Sequence, residues 1–279
     1  MAHFTLNSYA VGFMGQPSAK GTYKPVVSTF KKVDGSTMTL KDLQPSATAG
    51  TLGNATFFVI PWNGGNPMKV KDDTWIQEKY AAKVSTWATR DVHFYYNPAN
   101  KKWYLTDDYR GLTCDMSDYP LTQVQGVTMY VGNLANGATL TFSGEVEKED
   151  VPAVGTKGTY NMTGNIAPVD LTIKDFIPSC TAGTLGNATF FVIPWNGGNP
   201  MKVKDDPWIQ EKYATKVSTW ATRDVHLYYN PANKKWYLTD DYRGLTCDMS
   251  DYPIKAGQGF TIYVGNLANG AQLLLPSAL

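Results

Sequence analysis

Two periodicities divide the chain. Apolar and small polar residues alternate in Val127-Thr128-Met129-Tyr130-Val131 and in Ala138-Thr139-Leu140-Thr141-Phe142, which is the period of a half-buried strand. Gly132 to Gly137 supply turn residues between them, so the pattern predicts a hairpin. A second hairpin is predicted where Val92 to Tyr96 and Lys102 to Thr106 flank Asn97-Pro98-Ala99-Asn100-Lys101. Thr56 to Ile60 is a continuous β-branched and aromatic run, read as a buried strand that ends at Pro61 and the loop Asn63 to Pro67. From Asp73 onward the period changes: Ile76, Tyr80, Val84 and Trp87 recur at helical spacing, with Asp73 placed as the N-cap.

These elements occur twice. Residues 48–120 return as residues 181–253, with three differences: Thr74 becomes Pro207, Ala82 becomes Thr215 and Phe94 becomes Leu227. Proline directly after Asp206 suits the first helical position, where its missing N–H breaks no intrahelical bond. Outside this centre the copies drift, although Lys20-Gly21-Thr22-Tyr23 matches Lys157-Gly158-Thr159-Tyr160 and Tyr130 to Ala138 returns as Tyr263 to Ala271. The expected fold is mainly β: two tandem modules, residues 1–144 and 145–279, each a β-sandwich or partly closed β-barrel of seven or eight strands with one short α-helix. The charge run Gly144 to Asp150 holds three of the five glutamates and reads as the solvated connector. Such a short connection favours close packing of the modules.

Composition narrows the function classes. Lys and Arg number 25 against 24 Asp and Glu, giving a net charge of +1 that argues against capture of nucleic acid or anionic membrane. No apolar run approaches the roughly 20 residues of a membrane-spanning helix, so membrane insertion is not expected.

No motif identifies a reaction, and an enzyme is not expected. Cys114 and Cys247 occupy matched positions and Cys180 has no counterpart, which leaves buried thiols, or a disulfide between modules or chains, as the readings. A nucleophilic pairing of Cys114 with His93 lacks any surrounding signature. Asp107, Asp108, Asp115 and Asp118 crowd a turn-rich segment, and their hard oxygens make them weak calcium candidates, although the spacing fits no calcium loop. Glu78 and Glu211 are the lone glutamates of the repeated segments, which weakens a paired-carboxylate glycosidase reading. All eight tryptophans lie in the duplicated region. Trp87 and Trp220 read as core from their helical phase. Trp62 and Trp103, with Trp195 and Trp236, are the candidate surface rings for stacking on sugars or anchoring an interface.

Val27 to Leu43, the hairpin containing Trp103, Ile254 to Phe260, and Ala138 to Val146 together resemble uncharacterised secreted β-rich modules found in bacteria with many large surface proteins. The resemblance implies export, with a signal peptide removed upstream, and an extracellular or cell-surface role; it carries no catalytic residues across. Because duplication presents the same patch twice, two functions are expected, the first leading and the second its alternative. One is a non-catalytic structural protein that self-assembles into a layer or filament, its strand edges at Phe4 to Phe13 and Leu273 to Leu275 adding to a neighbour's sheet. The other is a bivalent carbohydrate-binding or adhesive protein that engages a polysaccharide through the four exposed tryptophans.

Overall fold

The computed structural model describes residues 10–14, 23–28, 30–32, 34–45, 57–63, 66–106, 112–122, 124–131, 140–146, 149–155, 158–179, 190–196, 198–239, 245–264 and 271–277. The first module contains β1 (Ala10–Met14), β2 (Tyr23–Val26), β3 (Phe57–Asn63), α1 (Thr74–Val84), β4 (Phe94–Asn97), β5 (Lys102–Thr106), β6 (Leu112–Asp115), β7 (Val127–Val131) and β8 (Leu140–Val146). The second repeats this order as β9 (Val151–Val154), β10 (Tyr160–Gly164), β11 (Phe190–Asn196), α2 (Pro207–Tyr213), β12 (Leu227–Asn230), β13 (Lys235–Thr239), β14 (Leu245–Asp248), β15 (Gly259–Val264) and β16 (Gln272–Leu275). Each module carries a large antiparallel sheet, ordered β6-β5-β4-β3-β7-β2 in the first and β14-β13-β12-β11-β15-β10 in the second. A smaller sheet is built on β8 with β1, and on β16 with β9. Neither large sheet closes into a barrel among the described residues. The fold is therefore mainly β and open, with a core between the sheets of each module.

Both cores arise from the alternation seen in the chain. In the first, Val59, Phe94, Trp103 and Met129 of the large sheet meet Leu140 of the small one, with Ile76 and Val84 of the helix closing the side. Each such side chain contributes roughly 1.5–3 kcal/mol by leaving water. Asp73 caps α1 as expected, its carboxylate accepting from the Ile76 backbone N–H at 2.9 Å. The same carboxylate accepts the Tyr119 hydroxyl at 2.6 Å, which ties the buried helix start to the chain beyond β6. Trp87 and Trp220 lie half-buried against their cores. The second helix stops at Tyr213, a turn earlier than its copy. Thr215 stands there in place of Ala82, exchanging the best helix former for a β-branched residue.

Three local expectations are corrected. The strands at 127–131 and 140–146 do not pair with each other: β7 lies between β3 and β2, whereas β8 belongs to the small sheet. Alternation fixes which face of a strand is buried and not which strand lies beside it; Leu140, at the start of β8, reaches the same core as Val127 and Met129 of β7. Pro61 does not end β3, which continues to Asn63. Pairing with β4 involves only Phe58 and Val59, so the N–H that proline lacks is not needed there. Leu273 to Leu275 form no free edge, because β16 is flanked by β9 and by Ile177–Pro178, with Leu273 and Leu275 fully buried. β8 itself runs from Leu140 through Gly144 to Val146. Phe4 to Tyr9, also expected as an edge, lie outside the described residues.

The modules meet through a pseudo-twofold contact. Trp62 packs edge-on against Trp195, its own equivalent, with centroids 5.0 Å apart at 76°. β2 lies against β10, again its own equivalent, and β3 with β10 mirrors β11 with β2, whereas the more extensive contact of β2 with β15 has no counterpart of similar extent. Backbone approaches backbone at two equivalent glycines. The Gly126 N–H donates to the Met162 carbonyl at 3.0 Å, and a methyl group on Gly259 would sit 2.6 Å from the Pro25 carbonyl carbon and 2.8 Å from the Val26 nitrogen. Such distances leave no room for a side chain. The Gly259→Ala variant is expected to lose about 1–3 kcal/mol by overpacking at fixed backbone, read as a lower urea midpoint. An unchanged midpoint would mean that the modules do not hold this crossing in solution.

Candidate functional site

The crossing leaves a cleft of about 250 Å³ at the junction. Its first-module wall comes from the end of β3, with Trp62 and Asn63, and from the loop before β7, with Gln125. Its second-module wall comes from β9, β10 and β15, with Val154, Asn161, Met162, Thr163 and Ile262. No ionisable side chain lines it. The Trp62 indole N–H is committed to the Thr128 hydroxyl at 3.1 Å, and Trp195 repeats the bond to Thr261 at 3.1 Å. Both rings are thereby held in one orientation by the sheets beneath them.

Thr163 stands in the wall of this cleft with a hydroxyl that is itself closed to solvent. It is 2% exposed, and its hydroxyl has no hydrogen-bond partner among the described residues. Burying a hydroxyl without a partner costs about 1–3 kcal/mol. The equivalent position is known from pairing register: Tyr23 to Val26 face Tyr130 to Val127 as Tyr160 to Thr163 face Tyr263 to Phe260. Thr163 thus corresponds to Val26, which is 1% exposed and has the same shape with no polar atom. The neighbouring Asn161 corresponds to Lys24. The fold accepts valine at this position, so packing does not call for the hydroxyl.

The tryptophans anticipated as four surface rings separate into two kinds. Trp103 and Trp236 are fully buried, each against the tyrosine paired with it across the hairpin, Tyr96 and Tyr229, with centroids 5.2 and 5.3 Å apart. Proximity to a hairpin tip misled the expectation, since strand alternation turns Lys102 outward and Trp103 into the core. Trp62 and Trp195 are half-buried and meet in one place. Two separate, equal sites do not result.

The remaining candidates have structural partners. Asp115 bonds Lys102 at 2.8 Å and Asp118 bonds Lys41 at 2.7 Å. Burial pushes the Asp115 carboxyl up, but Lys102 and Ser117 outweigh it and hold it below the usual carboxylate range. The bond to Lys41 and its charge hold Asp118 below that range too. Calcium would have to displace both lysines. Asp107, Asp108 and Cys180 lie outside the described residues. Cys114 and Cys247 are free thiols, and burial pushes both up, away from the reactive thiolate. Glu78 and Glu211 are exposed on the helices.

Comparison with protein-family models, curated proteins and solved structures found no match. Thr163, Asn161 and Gln125 escaped the sequence reading because they lie in the drifted flanks, outside the near-identical centre that holds every tryptophan. Aligning the two copies on their shared Lys-Gly-Thr-Tyr sets Asn161 and Thr163 beside Lys24 and Val26, and that contrast was there to be read.

Lys24 offers a test of this asymmetric junction. Burial lowers its amine from 10.5 to about 8. Between those values the unfolded chain binds the additional proton, so stability from this group rises with pH across that window and is lowest below about 8. Lys24→Met is therefore expected to raise the urea midpoint at pH 7, with the gain shrinking as pH climbs from 8 towards 10.5. Equal midpoints at pH 7 would contradict the burial of this amine.

Proposed function

We propose that the chain is a non-catalytic, extracellular binding protein of the adhesive kind, and that the cleft between its modules is where it engages its ligand. The supporting observation is a cleft of about 250 Å³, walled by polar amides and apolar side chains with no ionisable group, where the two halves cross backbone to backbone. A binding group is most effective when the scaffold holds it in place, and sheet-borne groups are held better than loop-borne ones. Catalysis has little support at this position: a threonine nucleophile needs a neighbouring base, and the cleft is lined by none. The resemblance to secreted bacterial modules supports the extracellular placement. No helix among the described residues is long and apolar enough to cross a membrane.

The test is a thermal-shift and calorimetric screen of the full chain against neutral, sialylated and sulfated oligosaccharides and short peptides, with each ligand recovered afterwards. Saturable binding with intact ligand is the expected result. Turnover of any ligand, or no binding across the screen, would overturn the reading.

Self-assembly into a layer or filament is the second reading, favoured by the small sheets. β1 and β9 each pair on one side only among the described residues, and Val154 and Ile177 are 55% and 54% exposed. Electron microscopy across a concentration series decides it. Ordered filaments that vanish in the Val154→Lys variant would establish that contact, and monomers at every concentration would remove it.

A further inference from the structure

We propose that the second module presents an acceptor surface for strand β2 of the first, and that the contact has a direction: the first module folds on its own core, whereas the second keeps its fold only while β2 and the residue after it are seated on it. The inference concerns the junction alone and is independent of any ligand.

Alternation lets one strand serve two cores. Val26 is buried in the core of the first module, and the next residue, Val27, is fully buried in the core of the second. Tyr23 and Pro25 share the face of Val27, and they lie against Gly198 and Gly259 of the second module. Backbone groups complete the seat. Val26 forms an antiparallel bridge with Gln258, and the Val27 N–H donates to the Gly257 carbonyl at 3.2 Å. Gly257 has a φ of 66°, which favours glycine, and its N–H donates to the Asn165 carbonyl at 3.0 Å. The buried Asn165 side chain also donates to the carbonyls of Ile254 and Lys255, at 3.3 and 3.2 Å. The acceptor turn is thus built by the second module for a strand that the first one supplies.

The reverse insertion is missing. Counted from the shared Lys-Gly-Thr-Tyr, Val27 corresponds to Gly164, which has no side chain to offer the first core. A methyl group on Gly164 would sit 2.7 Å from Cγ1 of Val27, so the second module omits a side chain where the first inserts one. Counted back from the shared Tyr130 and Tyr263, Gly257 corresponds to Val124, which also packs against the second core. Among the described residues, the first core contains only first-module side chains, while the second takes in Val27 and the edge of Val124. Emptying the Val27 position would leave a cavity in the second core alone.

The experiment follows amide hydrogen exchange of the full chain by mass spectrometry, with β8 reporting on the first module and β16 on the second, since these strands differ in sequence. Met129 and Ile262 are equivalent, fully buried members of the two cores, so Met129→Asp and Ile262→Asp bury the same charge in each. Met129→Asp is expected to lower protection at least tenfold in both β8 and β16, and Ile262→Asp in β16 alone. Val27→Ala is the milder variant: along a urea series the midpoint of β16 falls while that of β8 stays with the parent. Protection of β16 surviving in Met129→Asp would show that the second module folds unaided and would overturn the inference. Loss of β8 in Ile262→Asp would overturn it by making the dependence mutual. A Val27→Ala chain whose β16 midpoint is unchanged, or whose two midpoints fall together, would overturn it as well.

Discussion

The close crossing of backbones at Gly126 and Gly259 is the constraint on which the two-module arrangement depends. Each module has a core of its own and satisfies most of its hydrogen bonds within itself. What joins them is the absence of side chains at two equivalent points, together with Val27, which is fully buried in the second core, and the Trp62–Trp195 pair. The contact is isologous, with β2 on β10 and Trp62 on Trp195, so it closes on itself and does not propagate. Open-ended assembly would have to use a different surface.

The near-identical centres and the drifted flanks have different physical tasks. The centres supply the parts that every module needs: the β4–β5 and β12–β13 hairpins, the capped helices, and the buried Trp103 and Trp236. The flanks supply β2 and β10 and the approach to β7 and β15, which form the junction together with Trp62 and Trp195 of the centres. There the two halves differ by polarity at constant shape, threonine against valine, and by charge, asparagine against lysine. A twofold scaffold acquires one distinctive cleft through a few such exchanges.

Much of this was legible in the chain. The Asn-Pro-Ala-Asn turn marked a hairpin that forms, with Phe94 opposite Leu105 and Asn97 opposite Lys102. Asp73 marked a helix start that it caps. Alternation at 127–131 and 140–146 located two strands but not their partners, because a period of two specifies a buried face and is silent about the neighbouring strand. The same limit hid the central position of β16. Trp103 was misplaced because a turn nearby was weighed above the alternation of its own strand. The cleft itself could not be read from either module alone, since its two walls belong to different modules and meet only through the crossing.

The connection between the modules, from Val146 at the end of β8 to Val151 at the start of β9, adds a kinetic dimension to this closed contact. Each half offers a surface that complements its own copy, so the first half of one molecule and the second half of another are also a matched pair. The short tether favours closure within one molecule because it holds the halves together at an effective concentration on the order of millimolar. Crowded nascent chains, or chains refolding at high concentration, meet the competing pairing before that advantage is established. Partner exchange between molecules is thus the misassembly that a self-complementary contact of this kind permits, and a short tether disfavours it.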